Sequence, residues 1–395
     1  MAKLRIISLD MDGCLFHRHY HKAYQKDRDQ ALFETNKEFF ESLLKETSED
    51  EQLIFMIGSN RQSYTIDASN SGKGHNTEYS FKAIEKIATI FSKERAKNTT
   101  RLDTFLLEDI FSNRRAGSSF QIAQQIREGK LPEPNKDSLL LEQSKIPILY
   151  AQMHRHALKN PTEVIEFDFY DDREDIIKAL NEFYINYPEM IPKNVTLNLH
   201  LYNGEERVDL EPIQGQGRID SNYCQTVKNM MQITIEGTQQ DRDCDYDTAK
   251  TLTELKMENS CAAYVTPKAL DQCTKQNLTN NKKFFHDILS NVNNQTRFGG
   301  GKTIRFDGNN YCIPNGVFQA CQPFCKKNTH TPTINLDLLV TDDVKSFFSN
   351  KIQSYAQSKK DSSGFFWKRS EPVKSFYTEA AKGLRELEHH VSNDL

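Results

Sequence analysis

The apolar run from Leu4 to Leu9 stops abruptly at two carboxylates, Asp10 and Asp12, and no other stretch restricts the fold of this chain as tightly. Gly13, Leu15 and Phe16 follow. A largely apolar run of this length, interrupted only by Arg5 and Ser8, suits a strand buried on both faces, as in a parallel sheet. The acids then stand at the strand's carboxyl end, where open α/β sheets place their sites. Two carboxylates so close repel each other and lose hydration, a cost usually offset by a cation. Mg²⁺ prefers hard oxygen ligands of this kind. A strand end with an acidic turn is the plainer alternative.

The theme recurs along the first half. Leu53 to Ile57 is a second apolar run, ending in Gly58 and Ser59. Between the two runs, Leu32, Phe33, Phe39, Phe40, Leu43 and Leu44 recur at helical spacing over 29–46. Two buried strands joined by a helix make a right-handed crossover with both carboxyl ends at one sheet edge. Ser59 is therefore expected beside Asp10, although a serine there also suits a helix N-cap. Further helices are expected over 80–96 and from Ser144 to Leu158, with Pro147 in the first turn. Lys145 stands at that helix start, where a cation opposes the helix dipole. That mild cost hints at a function, though a surface lysine is equally ordinary there. Glu163 to Tyr170 alternates acidic and apolar residues, and Asp171, Asp172 and Asp175 follow before a helix. Acids also suit a first helical turn, so one of the three could be merely capping. Val195 to Leu201 alternates cleanly and is expected at the edge of the same sheet. Gln214-Gly215-Gln216-Gly217 reads as a hinge, dividing the chain into 1–215, 216–358 and a charged tail over 359–395.

Composition narrows the classes. The 395 residues are 27% charged with net charge −4, so no global field favours nucleic acid or an anionic membrane, and neither partner is expected. No run approaches the length of a membrane span, and the amino terminus shows no signal-peptide pattern, so a cytoplasmic site of synthesis is expected. One of the eight cysteines, Cys14, lies in the first half, and the others fall between Cys224 and Cys325. Without a secretory signal they read as reduced thiols. Cys321, Cys325 and His330 form half a zinc pattern with no second half. Arg297 to Thr303 resembles a phosphate loop, but Thr296 stands where that loop needs glycine, and Ile304 to Phe306 reads as a strand where it needs a helix. Ile334 to Val340 reads as a strand, 220–232, 247–258 and 279–291 as polar helices, and 371–390 as an amphipathic helix.

Four elements in order, namely Asp10-x-Asp12-Gly13 after an apolar strand, the strand-end Ser59, Lys145, and Asp171-Asp172 after a third strand, resemble the haloacid dehalogenase (HAD) superfamily of phosphotransferases. The resemblance spans residues 1–205 and implies a Rossmannoid parallel sheet with flanking helices. A mainly α or α+β region would follow. It further implies a metal-dependent phosphatase in which Asp10 is the nucleophile and Asp12 the general acid and base. Ser59 would bond a phosphoryl oxygen and Lys145 would neutralise charge. Mg²⁺ would be held by Asp10, the Asp12 carbonyl and Asp171 or Asp172, with Asp175 as a further candidate. Asp12 argues against the dehalogenase branch, which lacks this second acid. The interval from Asp12 to Leu53 is too short for a large lid, and much of 61–144 is absorbed by core helices, so a small cap or none is expected. An open site favours a phosphoprotein substrate, phosphotyrosine included, with His17, His19, Tyr20 and Arg61 at its mouth. A small phosphate monoester and a non-catalytic scaffold are the alternatives. The whole chain more loosely resembles effectors that intracellular bacteria of the Legionella type inject through a type IV system. That resemblance implies secretion into a host cell and a host-cell target.

Overall fold

The computed structural model describes residues 3–23, 27–48, 50–71, 79–95, 99–112, 114–133, 145–242, 264–295, 301–326, 330–340, 376–377 and 380. The chain divides into two compact units, Met1–Pro267 and Lys268–Leu395.

The first unit is a mixed α/β structure around a mainly parallel sheet. Its elements are β1 (Lys3–Leu9), α1 (Arg18–Ala23), α2 (Arg28–Thr35), α3 (Lys37–Glu46), β2 (Gln52–Ile57), α4 (Tyr64–Ser69), α5 (Ser80–Glu94), β3 (Thr100–Leu102), α6 (Leu107–Phe111) and α7 (Ser118–Arg127). Then come α8 (Ile146–Lys159), β4 (Val164–Asp171), α9 (Glu174–Asn186), β5 (Val195–Tyr202), β6 (Arg207–Asp209), β7 (Ile213–Gln214) and α10 (Tyr223–Arg242). The strand order is β3-β2-β1-β4-β5-β6, with β7 also pairing with β5. The pairs from β3 to β5 are parallel, and β6 and β7 run antiparallel to β5. β5 is thus not the edge strand: a turn after Tyr202 lets β6 fold back along its outer side.

β1 is central because both its faces are covered: Leu4 to Leu9 are all buried, with the two polar members satisfied, Arg5 by Asp168 and Ser8 by Gln152. Ile7 and Leu9 join Phe55, Ile57 and Tyr170 in a core with Phe39, Phe40 and Leu43 of α3 and Phe81, Ile84, Ile87 and Phe91 of α5. Each such side chain contributes roughly 1.5–3 kcal/mol by leaving water. α8 is bonded to the sheet through Gln152, which accepts from Ser8 Oγ (2.7 Å) and donates to Ile57 O (2.8 Å). α8 is buried from Ile146 to Ala157 because α10 packs against it. α10 therefore belongs with the sheet, and the first unit runs past the hinge expected at 215.

The helix expected over 29–46 is broken at Asn36 into α2 and α3. The Asn36 side-chain amide donates to Leu32 O (2.9 Å), the carbonyl its own N–H would use in an unbroken helix, and to Leu15 O (3.1 Å). Its Oδ1 accepts from Tyr202 Oη (2.9 Å), so one buried side chain ties the loop after β1 to the end of β5.

The second unit holds α11 (Pro267–Gln295), the hairpin β8 (Lys302–Phe306) and β9 (Asn309–Ile313), and α12 (Asn315–Cys321). Asp307 and Gly308 both take positive φ, as a two-residue hairpin turn requires. Phe285, Leu289, Ile304, Phe306, Ile313 and Val317 form its core. Phe376, Tyr377 and Ala380 are buried in that core, so the segment expected as a charged tail contributes packing. The strand expected over 334–340 is only an isolated bridge at Ile334, followed by a 3₁₀ turn over Leu336–Val340. Ser144, Thr296, most of the expected phosphate-loop stretch, the helix at 247–258 and most of that at 371–390 lie outside the described residues. Among the described residues no helix is long and apolar enough to cross a membrane.

Asn36→Ala leaves two carbonyls and the Tyr202 hydroxyl without their partner. It is expected to cost about 2–4 kcal/mol in urea unfolding; a change below about 0.5 kcal/mol would contradict this account of the break.

Candidate active site

The parallel pairing of β1 with β4 aligns Leu9 with Tyr170, so both chains leave the sheet together and their acids meet. The Asp10 N–H donates to Tyr170 O (2.9 Å). One carboxylate oxygen from each of Asp10, Asp171 and Asp172 lies within 4.8 Å of the others. From the opposite side comes Lys145. Its Nζ donates to Asp10 Oδ1 (2.6 Å) and Gly58 O (3.1 Å) and stands 3.4 Å from Asp171 Oδ2. Lys145 precedes α8 with φ 63, a left-handed conformation that costs a non-glycine residue about 1–2 kcal/mol. Gly13 also has positive φ, and a Cβ there would overlap the Asp172 carboxylate. The glycine of the Asp-x-Asp-Gly stretch is what lets the loop after β1 pass over the acid of β4.

Ser59 is buried two residues beyond Ile57, the partner of Leu9. It adjoins Gly58, whose N–H donates to Leu9 O (2.8 Å) and whose carbonyl accepts from Lys145. Asp12 is separate. Its carboxylate is gripped by both Nε (2.8 Å) and Nη2 of Arg61, and its side chain is 49% exposed. Arg61 in turn is buried and held by Asp67 (3.2 Å), Ser71 Oγ (2.8 Å) and Asn70 O (3.0 Å). Asp67 is fixed by the N–H (2.9 Å) and Oγ (2.7 Å) of Ser80.

The charges explain one another. Burial pushes the Asp10 carboxyl up to about 7, with Lys145 pulling it down and Asp171 and Asp12 pushing it further up. Burial and then Asp171 push Asp172 up to about 6. For Lys145 burial disfavours the charge, but Asp10 and Asp171 outweigh it and raise its affinity for the proton. Cys14 is raised well above the ordinary thiol range, by burial first and then by Asp10, so it stays a neutral thiol. Three carboxylates face one ammonium here, and Asp171 Oδ2 is buried with no described partner closer than that ammonium at 3.4 Å. An all-oxygen donor set with unspent negative charge fits a hard divalent cation such as Mg²⁺.

Of the residues expected from the sequence, Asp10, Lys145, Asp171 and Asp172 come together, with Ser59 next to Gly58. Asp175 does not join them; it bonds Arg173 Nε (3.0 Å) on the exposed start of α9. His17 and Arg61 are not at an open mouth. His17 is buried under Gly204, and Arg61 is spent on Asp12 and Asp67. His19 is exposed and pairs with Glu205 (2.6 Å), while Tyr20 is buried against Phe16. The Arg61–Asp67–Ser80 support and Gln152 have no sequence signature, because each is a lone polar residue whose partner is set only by folding.

The fold and site together define a class: an α/β protein with a buried, lysine-braced cluster of carboxylates at the carboxyl ends of adjacent parallel strands. Comparison with family models, with curated proteins and with solved structures finds no match for this chain.

The raised carboxyls set a pH dependence. Their folded values lie above the unfolded value of 3.8, so the folded state holds more protons and loses stability as pH rises from about 4 to about 7 without metal. A cation must displace those protons. The rise in thermal midpoint caused by Mg²⁺ is therefore expected to be larger at about pH 7.5 than at about pH 5.5. Equal shifts at both pH values would contradict this arrangement.

Proposed function

We propose that the first unit is a Mg²⁺-dependent phosphate monoester phosphatase of the HAD type that works through an aspartyl-phosphate on Asp10. The observation that carries this reading is the contact of Lys145 with Asp10 and Asp171, beside Asp172. It unites three of the four ordered sequence elements, and the fourth, Ser59, follows Gly58.

Each group has a physical task. Asp10 attacks phosphorus in line while the leaving oxygen departs, and the new bond is an acyl phosphate. Lys145, itself buried, offsets the charge that gathers on Asp10 and the phosphoryl oxygens, where a fixed, desolvated charge is worth most. Ser59 donates to a phosphoryl oxygen. Asp12 gives a proton to the leaving oxygen and later takes one from the water that cleaves the acyl phosphate. Arg61 is a positioning residue: its forked grip holds Asp12 in one rotamer. Asp10, Asp171 and Asp172 would hold the cation, with the Asp12 carbonyl completing the protein's share. Bound there, Mg²⁺ supplies the positive charge that lets two anions meet.

The half-exposed Asp12 favours a substrate that presents its phosphate from solvent. α3 and α5 are used up covering the sheet, and α1 has only six residues. A phosphorylated side chain on a protein, phosphotyrosine included, fits such an opening better than a metabolite needing full enclosure. A panel of phosphopeptides, sugar phosphates and nucleotides tests this. Faster turnover of the small molecules would overturn the protein-substrate part alone.

Asp10→Asn is expected to bring Mg²⁺-dependent p-nitrophenyl phosphate hydrolysis to background. Asp12→Asn should slow an alkyl phosphate by about 10²–10⁴. Arg61→Lys, which keeps the charge but loses the fork, should lower kcat about tenfold, the worth of one charge-assisted hydrogen bond, with little change in KM. Turnover untouched by Asp10→Asn or by EDTA would leave the scaffold reading standing.

A further inference from the structure

A second charged cavity, of about 300 Å³, lies toward the amino-terminal ends of β1 and β2, where Leu4 and Gln52 form part of its wall. The acid cluster is at the other end of these strands. The cavity's charged lining is Arg101 from β3, Asp103 just after it, and Arg155, His156 and Lys159 from the last turns of α8. Asp103 is the shared acceptor. It bonds Arg155 Nη1, lies 3.0 Å from His156 Nε2 and 3.9 Å from Lys159 Nζ. Its own position is fixed, since its N–H donates to Phe55 O (2.9 Å) and its Oδ1 accepts from the Phe105 N–H (3.0 Å). Arg155 is buried and stacked on Phe105, 4.9 Å from the ring centre.

The balance of charge does not close. Arg101, Arg155 and Lys159 face one carboxylate, and Arg101 pairs with no described acid. The crowding is visible on the neighbours. His156 is pushed down by burial, Asp103 only partly compensating, so it is neutral at pH 7. Lys159 is pushed down by burial and then by Arg155. His156 Nδ1 is buried without a hydrogen-bond partner. Two positive charges are left over in a concave site. A dianion of matching size balances them, and planar guanidinium groups suit the oxygens of a phosphoryl group.

The geometry points to an anion-binding site here for a small molecule carrying a phosphoryl dianion, separate from the acid cluster. Arg101 and Lys159 hold the oxygens from the exposed rim, and Arg155 from the buried wall. A volume near 300 Å³ is at the small end of ligand pockets, which sets the size of the occupant. The acid cluster carries the same sign of charge as such an anion and repels it when metal-free, so the two sites are separable by experiment.

The test is isothermal titration of the full chain with EDTA present, using inorganic phosphate in one arm and glucose 6-phosphate in the other. Saturable binding at about millimolar or tighter is expected in at least one arm, weakened at least tenfold by the double substitution Arg101→Ala/Lys159→Ala, about 1.4 kcal/mol or more. Both residues reach solvent, so that variant should fold as the parent does. Preference for the sugar phosphate would identify an esterified ligand, and preference for inorganic phosphate the free ion. Asp103→Asn removes the competing carboxylate and should tighten binding. No binding up to about 20 mM in either arm, a range where a weak site would still register, would overturn the proposal, as would unchanged affinity in the double variant. Because no metal or turnover is needed, the outcome is independent of the phosphatase reading.

Discussion

The ion pair between Lys145 and Asp10 is the interaction on which the carboxyl end of the sheet depends. Asp10, Asp171 and a third carboxylate, Asp172, are packed into one small volume, and the first two are almost wholly buried. The buried ammonium between them offsets part of their mutual repulsion. With one ammonium, the cluster still carries more negative than positive charge. That shortfall is what fits the cluster to the proposed cation. Removing one member of such a buried pair typically costs about 3–5 kcal/mol, because the other charge is left stranded. The left-handed backbone at Lys145 is a local strain borne in placing the ammonium there.

A second pairing keeps the two acids of the opening stretch apart in character. Asp10 is sealed beneath the loop and touches Lys145, whereas Asp12 lies half in solvent and is gripped by Arg61. Environment, rather than residue type, separates the two carboxylates, as the proposed division of roles between them requires. Arg61 is held from behind by Asp67 of α4 and by Asn70 and Ser71 just beyond that helix.

Much of this was readable in the chain. The run at Leu53–Ile57 is apolar throughout and that at Leu4–Leu9 is apolar but for Arg5 and Ser8, because both faces of a central parallel strand are covered, so strand type, neighbours and the position of the acids follow from pattern. Lys145 was legible only as a cation in the wrong place on a helix. The burial of Arg61 and His17 has no signal in the sequence, because position near a loop does not reveal what covers it; both lie under neighbouring chain. The break at Asn36 was hidden because Phe33, Phe39 and Phe40 keep helical spacing across it, and a tertiary partner, Tyr202, decides the outcome. The edge position of β5 failed because Arg207–Asp209 is too short to show a period. Asp307-Gly308 is a clear two-residue turn signal in its own right, a few residues after the glycines that resemble a phosphate loop.

The central claim is that Asp10 becomes phosphorylated. p-Nitrophenol leaves without needing a proton, so Asp12→Asn should still form the acyl phosphate on this substrate but hydrolyse it slowly. The direct measurement is the mass of the peptide spanning Asp10, taken after acid quench of Asp12→Asn with p-nitrophenyl phosphate and Mg²⁺. The account predicts the added mass of one phosphoryl group on that peptide, absent when Asp10→Asn is combined with it. An unmodified peptide accompanied by continued release of p-nitrophenol would contradict it.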